Sequence, residues 1–265
     1  HMKSYIHIFC IFLVLITYSC KSLHTSEIKP NPNFHLYLLI GQSNMAGRGK
    51  IDSLSTPNNP RILMLTKENK WEIAKDPLHF DKPKVAGVGP GLAFAQKMLT
   101  FEKRKNVIIG LIPCAVGGTS IDMWQPAKDA YEGQYYLYHD AVKRLHVAMN
   151  EGIIKGIIWH QGESDSNHEK STVYIEKLEK LISLFRNEIG DQRIPFVAGE
   201  LGYYKEHYML INNELKKLPS LVPYSAVATA EQLIHNGDGT HLDSNSAREL
   251  GKKMAIKMHT LQSAK

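Results

Sequence analysis

Cysteine, charge of a single sign and long apolar runs are all scarce in this chain. Three cysteines in 265 residues exclude a dense disulfide framework. The 32 basic and 26 acidic residues leave a formal net charge of +6, and no long block of lysine and arginine concentrates it. Nucleic acid is therefore not an expected partner. The remaining composition, 43% hydrophobic and 22% charged, is that of an ordinary globular protein.

The longest apolar run lies near the N-terminus and covers residues 6–18. A run of this length is too short to span a bilayer, which needs about 20 residues, but it matches the apolar part of a signal peptide. Lys3 supplies the positive charge that precedes such a run, and His1 is interpreted as a tag remnant. We therefore expect residues 1–19 to be a signal peptide.

The apolar run ends in Thr-Tyr-Ser-Cys, which resembles a bacterial lipobox. Cys20 would then be lipidated and become the mature N-terminus, followed by a tether over residues 20–32. This predicts an exported lipoprotein, periplasmic or attached to the outer membrane, with the membrane as a partner through its anchor. Tyr18 fits the lipobox pattern imperfectly, so plain secretion and a retained membrane anchor stay open. In the mature chain, Cys114 would have no intramolecular partner.

Five short apolar runs recur along the remaining chain and alternate with segments of helical spacing. Apolar runs rich in Ile and Val are typical of strands buried on both faces, as in parallel sheets. They cover residues 34–40, 106–112, 153–159, 194–198 and 224–229. The alternation predicts one domain over residues 33–265, a three-layer α/β/α sandwich with a mainly parallel five-stranded sheet. Residues 48–85, which carry four prolines, are expected to be a surface excursion.

Four polar clusters follow these predicted strands. They read GQSNM after the first strand, PCAVGGTS after the second, HQGESD after the third and GDGTHL shortly after the last. In open parallel sheets, ligands bind outside the carboxyl ends of the strands. We therefore expect the four clusters to meet at one rim of the sheet.

Ser43 is the candidate nucleophile of this rim, because Gly41 allows a tight turn that would present its hydroxyl at the sheet edge. A serine hydroxyl needs a neighbouring base. Asp238 lies three positions before His241, so a tight turn can bring its carboxylate onto the imidazole ring and complete a hydrolytic triad. A plain surface turn stays open for this pair. A metal site that also includes His235 lacks a known zinc spacing and a fourth ligand.

Acyl transfer also needs donors for the oxyanion that develops in the transition state, and loss of one typically costs about 2.7–4 kcal/mol. The backbone N–H of Ser43 is one candidate donor. A second is the N–H of Gly117 or Gly118, where no side chain blocks close approach. Gln161 offers a side-chain amide from the neighbouring strand end. A simple glycine turn and a loop hydrogen bond remain the alternatives for these two clusters.

Five motifs together resemble the SGNH-hydrolase superfamily, and within it the sialate O-acetylesterase and acetylxylan esterase branch. They are GQSNMAG at 41–47, GVGPGLAFA at 87–95, GGTSI at 117–121, WHQGESD at 159–165 and DGTHLD at 238–243. The resemblance implies a flavodoxin-like fold and chemistry without a metal or other cofactor. It also implies that Ser43 is the nucleophile, His241 the general base and acid, and Asp238 the carboxylate that orients the ring. The amides of Ser43 and Gly118 and the side chain of Gln161 would be the oxyanion donors.

By the same resemblance, the expected activity is that of a serine esterase that removes O-acetyl groups from carbohydrate through an acetyl-enzyme. Its substrate would be acetylated xylan or a related glycan, or O-acetylated sialic acid. Glu163, within the WHQGESD motif, would support the site without taking part in the chemistry. Two alternatives stay open: a non-catalytic, lipid-anchored glycan-binding protein, and an SGNH esterase that acts on lipid or peptidoglycan acetyl groups. No particular oligomeric state is predicted.

Overall fold

A seven-stranded β-sheet runs through the centre of the computed structural model, which describes residues 29–56 and 59–264. Its strands are β1 (Asn31–Gly41), β2 (Ile62–Leu65), β3 (Trp71–Ile73), β4 (Ile108–Pro113), β5 (Gly152–His160), β6 (Phe196–Gly199) and β7 (Ser225–Ala228). Their order across the sheet is β3-β2-β4-β1-β5-β6-β7. Every neighbouring pair is parallel except β2 and β3, which are antiparallel.

The predicted fold class is confirmed, but the prediction of five strands is wrong. The five apolar runs correspond to β1, β4, β5, β6 and β7. The two further strands, β2 and β3, come from residues 48–85, the segment expected to be a surface excursion. With four and three residues they are too short to show a clear period. β2 is held by pairing with β4, and Ile62 and Leu65 are buried there, so distant contacts stabilise it more than local sequence does.

Helices cover both faces of the sheet. In the described residues they are α1 (Ser43–Ala46), α2 (Pro90–Phe101), α3 (Leu137–Met149), α4 (His168–Ser171), α5 (Tyr174–Ile189), α6 (Tyr208–Leu215), α7 (Leu218–Leu221) and α8 (Ser244–Ser263). β1 shows why both faces need cover. Leu36 and Leu38 pack into one apolar cluster with residues of α3 and α5, whereas Tyr37 and Leu39 pack into another with α2 and α8. This alternation makes β1 the middle of a three-layer sandwich.

The strand ends bring the polar clusters together. β1 lies between β4 and β5, with Leu39 opposite Pro113 and Gly41 opposite His160. Gly41 has a φ of +137°, and a Cβ there would lie 2.1 Å from the carbonyl oxygen of His160. Only glycine fits this close approach, so the chain can turn sharply out of the sheet at Gln42 and begin α1.

Most of the N-terminal predictions concern residues that the structure does not describe. Residues 1–28, which include the predicted signal peptide and Cys20, lie outside the described residues, so those expectations stay predictions. β1 begins at Asn31, near the predicted start of the domain. Among the described residues, no helix combines the length and apolarity needed to cross a bilayer.

Candidate active site

Ser43, His241 and Asp238 form one continuous chain of hydrogen bonds at the carboxyl edge of the sheet. Nε2 of His241 lies 3.0 Å from Oγ of Ser43, and Nδ1 of His241 lies 2.6 Å from Oδ2 of Asp238. Ser43 is the first residue of α1, directly after the turn out of β1. This is the geometry in which an imidazole ring can take a proton from a serine hydroxyl while a carboxylate fixes its orientation.

A tight turn over residues 235–242, here called the histidine side, carries Asp238 and His241, the two members of this hydrogen-bonded chain that can gain or lose a proton near neutral pH or below. Besides the ring of His241, Asp238 accepts from the backbone N–H groups of Thr240 (2.7 Å) and His241 (2.8 Å) through Oδ1. Partial burial alone would raise the pKa of Asp238. The hydrogen bonds from His241 and Thr240 outweigh burial and lower that pKa to about 2. Asp238 is therefore a carboxylate at any pH near neutrality.

His235, the third member of the alternative metal site, serves this turn instead of pointing at a shared centre. Its Nδ1 lies 3.0 Å from the N–H of Gly237 and 3.2 Å from that of Gly239, both of which donate to it. The two ring nitrogens of His241 already face Ser43 and Asp238. No group of three or more His, Cys, Asp or Glu side chains in the described part of the chain is arranged to hold a metal ion.

Asn44 links the histidine side to the rest of the site, a role that the sequence alone did not indicate. Its Oδ1 accepts from the N–H of Leu242 (2.9 Å), and its Nδ2 donates to the carbonyl oxygen of Thr240 (3.1 Å). One side chain thus grips the backbone on both sides of His241. The same Nδ2 donates to Oε1 of Glu163 at 2.6 Å. The one feature of the sequence that could have drawn attention to Asn44 is its position beside Ser43 in the GQSNM motif.

The Gly117–Gly118 loop, here called the glycine side, lies next to Ser43 and lines the same pocket as His241. A Cβ on Gly117 would lie 3.3 Å from the Cβ of Ser43, so the loop passes directly beside the hydroxyl. The N–H of Gly117 donates to Oδ2 of Asp81 at 2.8 Å and is not available to a substrate. Among the described residues, no acceptor takes the N–H of Gly118, which lines the pocket with a φ of +84°. Of the two glycines, Gly118 is therefore the one with a free donor.

Gln161, the third predicted oxyanion donor, does not line this pocket. Its side chain is fully buried, and Nε2 donates to Oδ2 of Asp165 (2.6 Å) and to the carbonyl oxygen of Thr119 (3.0 Å). It also contacts the side-chain amide of Gln42, which does line the pocket. The oxyanion role of Gln161 stays a prediction. Here the amide joins the ends of β1 and β5 to the glycine side.

The pocket around Ser43 has a volume of about 510 Å³. Three cationic side chains line it, those of Arg48, Lys82 and Lys205, and Tyr208 adds an aromatic surface. Glu163 contributes a carboxylate, which Asn44 holds. The pocket is thus polar and wide enough for a sugar ring, and charged groups of both signs lie along its wall.

Comparisons with known proteins identify the family of the chain. The sequence profile of a family of carbohydrate esterases, the sialic acid-specific acetylesterases, matches residues 33–260. A "probable carbohydrate esterase" of Arabidopsis thaliana is 35% identical over 252 residues, which cover 87% of this chain and 91% of that protein. Its crystal structure, aligned over 87% of this chain and 99% of its own with 29% identity, gives a TM-score of 0.77.

Two more distant structures share the fold. NanS is 16% identical, with 89% of this chain and 99% of its own covered and a TM-score of 0.67. A carbohydrate acetylesterase from Xanthomonas citri is 20% identical, with 87% and 56% covered and a TM-score of 0.67. The family profile spans almost all of the described chain and includes every cluster at the rim. The chain belongs to the sialic acid-specific acetylesterase family of carbohydrate esterases.

Proposed function

We propose that this protein is a serine esterase that removes O-acetyl groups from carbohydrate through an acetyl-enzyme intermediate. The observation that carries the proposal is the chain of hydrogen bonds from Ser43 to His241 to Asp238. Ser43 and His241 line the same pocket as Gly118, whose N–H has no acceptor among the described residues. A non-catalytic glycan-binding protein would have no use for this alignment. Membership of an acetylesterase family supports the acetyl group as the acyl part of the substrate.

In the first half of the proposed reaction, the substrate's acetyl group moves to Ser43. Nε2 of His241 takes the hydroxyl proton as Oγ attacks the carbonyl carbon. The carbonyl oxygen becomes negative and accepts hydrogen bonds from the backbone N–H groups of Ser43 and Gly118. The bond to the sugar oxygen then breaks, and that oxygen takes the proton from His241. Asp238 stays ionised and stabilises the imidazolium that forms in between.

In the second half, water replaces the sugar. His241 takes a proton from a water molecule, whose oxygen attacks the acetyl carbon of acetyl-Ser43. The tetrahedral intermediate collapses, Ser43 recovers the proton from His241, and acetic acid leaves and ionises to acetate in solution. The exposure of His241, whose side chain is 25% accessible, allows water to reach it from the open side of the pocket.

For the glycan, we propose acetylated xylan or a related plant polysaccharide, with O-acetylated sialic acid as a second candidate. The second candidate is favoured by the cations of the pocket, since Lys82, Lys205 and Arg48 could attract a sugar carboxylate. Two of these cations already have partners: Lys82 pairs with Glu132 at 2.9 Å, and Arg48 with Asp81 at 2.7 Å. Acetate release from acetylated xylans, acetylated mannans and O-acetyl sialic acids would rank the candidates directly.

The central test is Ser43→Ala. We expect a folded protein whose acetate release falls by about three orders of magnitude or more, as in other serine triads. Ser164→Ala is the matched control, because Ser164 lines the same pocket outside the triad, and this variant should stay within a few-fold of the wild type. Substantial activity in Ser43→Ala would exclude the triad. A wild-type protein that binds acetylated glycans but releases no acetate would instead identify a binding protein.

A further inference from the structure

The glycine side is hydrogen-bonded to a buried ion pair, Asp81 and Arg48, that contacts neither His241 nor Asp238. Oδ2 of Asp81 accepts from the N–H of Gly117 (2.8 Å) and from Nη2 of Arg48 (2.7 Å). The side chains of Asp81 and Arg48 are 1% and 7% exposed. Burial alone would raise the pKa of Asp81, but the contact with Arg48 outweighs it and keeps that pKa below its ordinary value. Asp81 is therefore a carboxylate inside the fold.

The carbonyl group of Gly117 is also held. Tyr131 Oη donates to this oxygen over a long contact of 3.4 Å, and a Cβ on Gly118 would lie only 2.7 Å from the same hydroxyl. A trans peptide unit is planar, so the carbonyl of Gly117 and the N–H of Gly118 point in opposite directions. A carbonyl turned toward Tyr131 thus turns the N–H of Gly118 away from Tyr131.

The ion pair also ties the glycine side to the element that carries Ser43. Nη1 of Arg48 donates to the carbonyl oxygen of Gly47 (2.7 Å), and the N–H of Gly47 donates to the carbonyl oxygen of Ser43 (2.8 Å). The segments that carry the two proposed oxyanion donors, the backbone N–H groups of Ser43 and Gly118, are therefore connected through Arg48 and Asp81. No other charged pair among the described residues makes this connection.

We propose that Asp81 is the positioning residue of the oxyanion hole, and that Tyr131 assists it by fixing the peptide plane between Gly117 and Gly118. The inference rests on the proposed function. Asp81 touches no reacting atom; it acts by aiming the N–H of Gly118 before negative charge develops on the substrate. Preorganised donors stabilise the transition state more than the ground state, so their loss lowers kcat and leaves KM nearly unchanged.

Asp81→Asn is the principal test. Asparagine keeps the volume and one oxygen, but it removes the negative charge that holds Arg48 and Gly117, and it places a buried amide group where Oδ1 has no partner. We expect kcat for acetate release to fall about 10- to 100-fold, with KM within about twofold. The affinity of a small alkylboronic acid, which forms a tetrahedral adduct with a serine, should fall by a similar factor. Tyr131→Phe, at a partly exposed site that tolerates the change, should lower kcat about threefold to tenfold.

Two controls separate positioning from general loss of stability. Asp76→Asn changes another buried aspartate, and Tyr136→Phe an exposed tyrosine, both outside the pocket of Ser43. Each should keep kcat, whatever happens to its unfolding midpoint. Hydrogen exchange provides a readout independent of turnover, since the amide of Gly117 should exchange at least tenfold faster in Asp81→Asn.

The possible results distinguish a failure of the proposed function from a failure of the proposed positioning role. A wild-type protein without acetate release would refute the proposed function, while faster exchange at Gly117 would still show that Asp81 holds the loop. An active wild type whose Asp81→Asn and Tyr131→Phe variants keep kcat and boronate affinity would refute the positioning role and leave the esterase intact. A rise in KM alone would also refute it, because that would make Asp81 a determinant of substrate binding.

Discussion

The two sides of Ser43 are built in opposite ways. On the histidine side, the side chains of Asp238 and His241 are 44% and 25% exposed, and their hydrogen bond joins residues three positions apart. On the glycine side, Asp81 and Arg48 are buried, and the contacts of Asp81 join residues 33 and 36 positions apart. One side is a local turn near solvent, and the other is a buried connection between distant segments.

This difference matches what each side has to do in the proposed reaction. His241 exchanges a proton twice in each cycle and needs water for the second step, so partial exposure is useful there. A backbone N–H that receives negative charge works best when it is held rigidly in a dry setting. Substitutions on the histidine side should therefore reduce proton transfer with little loss of stability. Those on the glycine side should reduce transition-state stabilisation and also disturb the fold.

Among substitutions that distinguish the two sides, Asp238→Asn should have the largest effect on turnover. An amide in place of the carboxylate no longer stabilises the imidazolium, and by analogy with other triads kcat should fall about 10⁴-fold. Stability should change little near neutral pH, since the group is largely exposed. The folded pKa of about 2 lies below the unfolded value, so the carboxylate's contribution to stability is present above about pH 4 and is lost as the pH falls toward 2. Turnover and urea titrations between pH 2 and 7 would measure both effects.

Asp243→Asn is the control for this substitution. Asp243 is the N-cap of α8 and accepts from the N–H of Ser246 at 2.7 Å, and asparagine serves equally well as a helix N-cap. Its activity should match that of the wild type. If Asp238→Asn retained a tenth or more of kcat, the ring of His241 would be oriented without this carboxylate. The contacts of Asn44 with the backbone on both sides of His241 would then be the ones that orient it.

The contrast between the two sides also explains what could be predicted from the sequence. The spacing of Asp238 and His241 is local, and Ser43 directly follows an apolar strand, so pattern and topology sufficed to bring the three together. Asp81 lies in a proline-rich segment with no motif of its own, and its partners are distant in the chain. No spacing rule could have connected it to Gly117.

The same reason applies to the fold. β1 and β5 are long apolar runs that bury both faces, and the sequence predicts both strands. β2 has four residues and forms because β4 offers it a free edge, which only the assembled sheet provides.

Asn44→Ala should have the next largest effect, because Asn44 ties the histidine side to α1, the helix that carries Ser43. Its loss frees the backbone at Thr240 and Leu242, on both sides of His241, and removes a hydrogen bond from Glu163. We expect kcat to fall about 100-fold and the free energy of unfolding to fall by about 1–3 kcal/mol, as for other buried groups that lose their partners. Steady-state kinetics and denaturant titrations on the same preparation would measure the pair of values.

Asn212→Ala is the matched control for Asn44→Ala. Asn212 grips Leu201 in the same manner, accepting from its N–H at 2.8 Å and donating to its carbonyl oxygen at 2.9 Å. Its loss should cost a similar free energy of unfolding but much less kcat. Equal losses of kcat in the two variants would mean that Asn44 acts only through stability, and the histidine side would then be rigid on its own.

Gln161→Ala should have the smallest effect on turnover. It tests whether the side chain beside the glycine side acts on the oxyanion or only on stability. Nε2 of Gln161 donates to Asp165 and to the carbonyl of Thr119. Its loss removes one partner from each, and the buried carboxyl of Asp165 is one whose pKa burial already raises. We expect the free energy of unfolding to fall by about 1–3 kcal/mol, while kcat falls less than tenfold. A fall of 10²–10³ with unchanged KM would contradict this expectation. It would mean that the amide of Gln161 turns toward the oxyanion in the reacting complex, as the family resemblance implies, and that the glycine side rearranges during catalysis while the histidine side keeps its form.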